Sequence, residues 1–270
     1  MTGTELDRTT GHAAPIIDRF ARFGFAIKGI VTILIGALAL RYALGWGGDI
    51  AGPRGAIEGL IDEPFNQLIL AVLATGLASY AFWMFVEAII DPEQKGSGFR
   101  GLAERAAFFV TGVGYGLLAN VTVNLLLGRN GAGGMDLDDL AATALTPRVG
   151  RWFVGLTGVA IMVAGVLQLR LGVTTAFRNI LSQGISVVER AITIVVGALG
   201  YVTLGVLSMM VGYSLVEVAL RYDPSEAGGW EDALWLLSTV VEGRWLLGLV
   251  SAGLIFYGFY FVLLMRYRAL

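Results

Sequence analysis

Five stretches of the chain carry no Asp, Glu, Lys or Arg: Phe65 to Val86, Ala106 to Gly128, Trp152 to Leu169, Ala191 to Val216 and Trp245 to Met265. Each approaches or exceeds the roughly 20 apolar residues that cross a hydrocarbon core. The runs are continuous and do not alternate with period two, which predicts helices, and lipid offers no partner to the backbone of an open strand. A sixth stretch, Gly24 to Leu44, carries Lys28 and Arg41 near its two ends. Long cationic side chains there are expected to reach the headgroups while their stems stay in lipid. The pattern predicts an all-α integral membrane bundle of six helices.

Polar positions between the spans recur. Asp18-Arg19, Glu104-Arg105 and Glu189-Arg190 stand 86 and 85 residues apart, each ahead of an odd-numbered span. Gly112 and Gly197 follow the second and third arginines by seven residues, then come Gly114-Tyr115 and Gly200-Tyr201, with Lys28-Gly29 in the first copy. Along the even spans, Arg151-Trp152, Gly155-Leu156 and Gly165 match Arg244-Trp245, Gly248-Leu249 and Gly258 at a constant offset of 93, and Gln67-Leu68, Ala71-Val72 and Ala81 take these places in the first copy. Such self-similarity marks tandem units. We divide the chain into a polar tail (1–15), hairpins over 16–91, 102–173 and 188–270, and linkers at 92–101 and 174–187. Ahead of each even span, Ala56 to Ile61, Leu137 to Leu145 and Trp230 to Val240 show apolar residues at spacings of three and four. These predict short amphipathic helices along the outer interface; Asp136 or Asp138 would cap the second, and Pro64 and Pro147 close the first two.

Composition narrows the chemistry. Mean hydropathy is +0.72 and charged residues are 15%, outside the range of a water-soluble domain. There is no Cys, and the single His is His12 in the polar tail. Thiolate zinc sites, disulfides, iron–sulfur clusters, Cys nucleophiles and bis-His haem ligation are thereby excluded, and no metal or cofactor is expected. The first fifteen residues are polar, with no small-residue cleavage site behind a short apolar core, so the first span is expected to remain in the membrane. Sorted alternately across six spans, twelve of the nineteen basic residues fall on the side of the termini and seven on the other. This bias predicts cytoplasmic termini, with membrane lipids and other membrane proteins as partners and no nucleic acid.

Several groups of residues together resemble a known family. They are Arg19-x4-Gly24-Phe25-x3-Gly29, the run from Gly55-Ala56-Ile57 through Pro64-Phe65, Gly76-Leu77 to Trp83 with Glu87-Ala88, and the restart at Glu104-Arg105. In this order they are similar to the bacterial membrane proteins of the domain of unknown function 1206 family, present as three tandem copies over nearly the whole chain. The third copy departs from it, with no Pro ahead of Trp245. The resemblance implies a three-hairpin membrane protein and brings no catalytic residues.

Candidate functional residues are few. Asp18, Arg19, Glu104, Arg105, Glu189 and Arg190 form a structural ring if each arginine pairs with the carboxylate of the neighbouring copy; alternatively, three guanidinium forks converging on the axis would bind an anion. Gly112-x3-Gly116 permits close helix approach. Asn120, Asn124 and Gln168 either hydrogen-bond neighbouring helices or line a ligand site or pore. Glu217 with Arg221 reads as an interfacial ion pair, and Glu87 with Asp91 as a solvated helix end. No midplane carboxylate, Walker loop, HExxH or GxSxG is present. The expected role is a non-enzymatic scaffold, accessory or lipid-binding bundle, with a channel or facilitator along the pseudo-threefold axis as the competing expectation.

Overall fold

The computed structural model describes residues 3–91, 96, 98–129, 150–180, 186–221, 229–239 and 242–267, with side chains of the first helix described from Arg22 onward. Eight α-helices stand among the described residues: α1 (Gly3–Ala43), α2 (Pro53–Glu58), α3 (Asn66–Ile89), α4 (Phe99–Leu126), α5 (Gly150–Thr174), α6 (Val187–Arg221), α7 (Trp230–Thr239) and α8 (Gly243–Tyr267). Six of them, α1, α3, α4, α5, α6 and α8, are long and apolar enough to cross a membrane. The chain is a multi-pass α-helical membrane protein. Helix ends follow local chemistry. Gly45 and Gly128 adopt positive φ beyond α1 and α4, and the next amides, Trp46 and Arg129, donate back to Arg41 and Asn124. This is the glycine-terminated helix stop that L side chains resist. Pro53 opens α2, where a missing amide is harmless. The predicted outer helices at 56–61 and 230–240 correspond to α2 and α7, while the one at 137–145, with Asp136, Asp138 and Pro147, lies outside the described residues. α2 and α7 do more than lie along an interface: Ile57 and Leu234 are fully buried and join the main apolar core.

The closest-packed pairs do not lie within hairpins. α3 packs on α4, α5 on α6, and α8 returns to α1, so each hairpin joins the next and the last joins the first. Lipid gives no hydrophobic drive for these contacts, which depend on close approach and dispersion. Small residues every seven positions supply it. A Cβ at Gly29 would stand 2.6 Å from the Gly258 carbonyl oxygen, and one at Gly36 2.8 Å from that of Ser251. On the α5–α6 seam a Cβ at Gly158 would meet the Gly212 carbonyl at 2.7 Å and one at Gly165 the Gly205 carbonyl at 2.8 Å. A seven-residue spacing keeps these positions on one helix face.

These contacts correct the repeat register along the odd spans. Gly29 meets Val262, Gly112 meets Phe85 and Gly205 meets Leu169, which makes Gly29, Gly112 and Gly205 equivalent at intervals of 83 and 93. The helix-ending glycines Gly45 and Gly128 are also 83 apart. The acid-arginine dipeptides, at 86 and 85, are therefore not equivalent positions: Arg105 corresponds to Arg22, and Ala198 takes their place in the third copy. Charged dipeptides recur near span ends for a general interfacial reason, whereas the register is set where glycines meet the neighbouring helix.

The second hairpin differs from the other two. In the first, a Cβ at Gly24 would stand 2.6 Å from the Tyr80 amide nitrogen; in the third, one at Gly200 would stand 2.6 Å from the Tyr257 Cα. α1 accordingly packs on α3, and α6 on α8. At the corresponding places the second hairpin has Ala107 and Ala164, and among the described residues α4 and α5 make no comparable contact. The methyl of Ala107 would not fit the approach that glycine allows. Among the described residues the ring therefore has one loosely packed seam, between α4 and α5.

Candidate functional site

Two apolar clusters fill the bundle. The larger contains Val31, Ile35, Leu73, Leu77, Leu207, Val211 and Leu254 from four spans, all but sealed from the exterior. The second is aromatic, includes Phe25, Tyr80, Trp83, Tyr257, Tyr260 and Phe261, and lies toward the side of the termini. Next to it stands Lys28, six residues along α1 from Arg22.

Lys28 does not extend to the headgroups as its place near a span end predicts. Its Nζ donates to the Tyr80 hydroxyl at 2.8 Å and lies 4.1 Å from the ring centre of Phe261, 4.7 Å from Tyr80, 5.4 Å from Tyr115 and 5.8 Å from Tyr257. Tyr80 and Tyr115 meet edge to face at 4.6 Å, as do Tyr257 and Phe261 at 4.8 Å. The amine thus joins α3 of the first hairpin, α4 of the second and α8 of the third. The negative faces of the rings attract a cation, by about 0.5–2 kcal/mol per ring. Among the described residues no carboxylate pairs with Lys28, and none hydrogen-bonds the hydroxyls of Tyr115 or Tyr257. In the sequence, Lys28 stands out as the one lysine inside an apolar run; its four aromatic partners come from distant spans and give no local signal.

The candidate residues are distributed as follows. Asp18 and Arg19 lie in α1, ahead of the described side chains. Arg105 donates to the carbonyls of Ala88 at 2.8 Å and Ile89 at 3.0 Å, and its equivalent Arg22 donates to the Met265 carbonyl at 2.8 Å. Each guanidinium thus satisfies carbonyls at the end of the neighbouring hairpin's second span, which a helix leaves open. Glu104 and Arg190 are half-buried. Glu189 accepts from Ser186 Oγ at 2.9 Å and the Ser186 amide at 3.2 Å, a capping box at the start of α6. Asn124 donates to the Asn120 carbonyl on its own helix at 3.1 Å. Asn120 is exposed, seven residues beyond Val113 on a stripe whose counterparts Ile30 and Val206 are also exposed. Gln168 accepts from Ser208 at 3.0 Å and so ties α5 to α6. Glu217 pairs with Arg221. Glu87 is buried rather than solvated.

Fold and site together define a multi-pass membrane protein of three linked hairpins. The chain belongs to the family described as Domain of Unknown Function (DUF1206), which matches it at residues 23–91, 106–175 and 199–268. These stretches begin 83 and 93 residues apart, the intervals set by the glycine contacts. A relative in Bacillus subtilis (strain 168), the uncharacterized protein YxxB, is 32% identical over 250 residues, covering 92% of this chain and 90% of that protein. No solved structure matches the chain.

Proposed function

We propose that the protein is a non-enzymatic scaffold or accessory bundle of a bacterial cytoplasmic membrane, with both termini cytoplasmic, that holds lipid in a lateral groove. The observation that carries this reading is the parting of α4 from α5 beside an otherwise closed ring. Among the described residues every other seam of the ring is closely packed, and lipid is what the bilayer would supply at the open one. Support over the channel reading comes from the aliphatic cluster across the axis, since a conduit for a polar solute needs polar groups in line. Mild detergent extraction followed by identification of bound lipid tests the proposal, which expects lipid retained in stoichiometric amount. A lipid-free, fully folded protein would overturn it. Orientation is tested by an impermeant thiol reagent on a cysteine introduced within Gly131–Gly134: the expected result is labelling in intact cells, and labelling only after lysis inverts the topology.

A further inference from the structure

We infer that the gap between α4 and α5 admits the chain of an anionic amphiphile, a fatty acid or an acidic lipid, whose head is held by Lys28 Nζ together with the hydroxyls of Tyr115 and Tyr257. This rests on the lipid-holding reading and adds to it a headgroup and a place.

The head site offers an ammonium and phenolic hydroxyls, which donate as well as accept, and among the described residues no carboxylate pairs with Lys28. The Lys28 ammonium carries three protons and the Tyr80 hydroxyl takes one. Tyr257 is 5% exposed, and no described residue hydrogen-bonds its hydroxyl or that of Tyr115. An ammonium among the rings of Tyr115 and Tyr257, 5.4 and 5.8 Å from their centres, with no paired carboxylate among the described residues, matches the needs of a carboxylate or phosphate oxygen in a medium of low dielectric.

The chain site follows from what the second hairpin lacks. Tyr115 is flanked on α4 by Gly114 and Gly116, around which a Cβ would meet nothing within 4 Å. Gly114 corresponds to Val31 and Leu207, both buried in the core. Across the gap, Ala164 stands where the other hairpins have Tyr80 and Tyr257. Leu167 corresponds to Trp83 and Tyr260, which are 7% and 0% exposed, yet Leu167 is 52% exposed. Large centre-facing residues are thus missing from one hairpin alone, on both sides of one seam, beside the ring that contacts Lys28. The exposed large side chains of α4 and α5, among them Phe109, Val113, Val163 and Leu167, are apolar, which favours an amphiphile arriving from the bilayer over a free anion arriving from water.

The test uses full-length protein, delipidated in mild non-ionic detergent and offered oleate, phosphatidylglycerol, diacylglycerol or inorganic phosphate, with native mass spectrometry and thermal melting as readouts. Wild type is expected to retain oleate or phosphatidylglycerol at least about tenfold over diacylglycerol; which of the two is preferred identifies the head. Lys28→Met should abolish the preference, Tyr115→Phe should weaken it, and Ala164→Tyr should lose the anionic lipids with the charge intact. An unchanged preference in folded Lys28→Met overturns the inference. Should Lys28→Met fail to fold, unchanged retention in both Tyr115→Phe and Ala164→Tyr does the same. Full stabilisation by inorganic phosphate alone would move the site to a soluble anion and overturn the amphiphile. Equal retention of charged and neutral lipid removes the head site but leaves the lipid-holding reading, whereas no retained lipid removes both.

Discussion

At the scale of single residues, glycine decides which helices touch. A side chain at Gly158 would enter the Gly212 carbonyl, whereas one at Gly114 would meet nothing within 4 Å. Gly158→Val is therefore expected to lower stability by about 1–3 kcal/mol through overpacking, read as earlier loss of the monodisperse peak on heating in detergent. Gly114→Ala should leave stability unchanged or raise it by up to about 1 kcal/mol from helix propensity. Equal damage from both would show that helix content rather than approach sets the cost. The sequence made glycine conspicuous, but only one end of the Gly112-x3-Gly116 pattern lies against another helix. Gly112 meets Phe85 while Gly116 faces open space. The informative spacing is seven, as in Gly29 with Gly36 or Gly158 with Gly165, because an antiparallel seam repeats every two turns.

At the scale of elements, the spans were legible because a bilayer imposes one length and one composition on whatever crosses it. Pairing was less legible. The tightest contacts join different hairpins: α3 with α4 and α5 with α6, across connections (90–98 and 175–186) shorter than those between the spans of each hairpin (44–65, 127–149 and 222–242), and α8 with α1. The reason can be read from particular positions once the register is known. Gly24 and Gly200 let their hairpins close as well, and Ala107 does not. Arg22 and Arg105 then reach across the inter-hairpin seams to the open carbonyls of Met265 and Ala88. The dipeptides marked the right neighbourhood in the chain, but one-dimensional recurrence could not tell an anchoring charge from a register mark. Lys28 was misread for a related reason. Its distance from the span end permits extension to the headgroups, and only the convergence of Tyr80, Tyr115, Tyr257 and Phe261 from three other spans gives it an inward partner.

At the scale of the whole molecule, the packing makes the bundle circular: the first span is held by the last, and among the described residues the one loose seam of the ring is in the middle hairpin. A cysteine pair can test that closure because the native chain contains no cysteine. A Cβ at Gly248 would lie 3.9 Å from the Ala43 Cβ, within the separation a disulfide spans. Ala43→Cys with Gly248→Cys should form the bond readily under mild oxidation. A protease site inserted between Gly131 and Gly134 would then cut the chain into halves that stay together without reductant and part when it is added. Ala43→Cys with Leu246→Cys is the control, since Leu246 is exposed on another face of α8 and should not cross-link. If the halves separate without reductant, or if the control links equally well, α1 and α8 are not fixed neighbours. The ring would then be an open array, and the gap between α4 and α5 would no longer be distinguished from the seam between α1 and α8 as the proposed place for lipid.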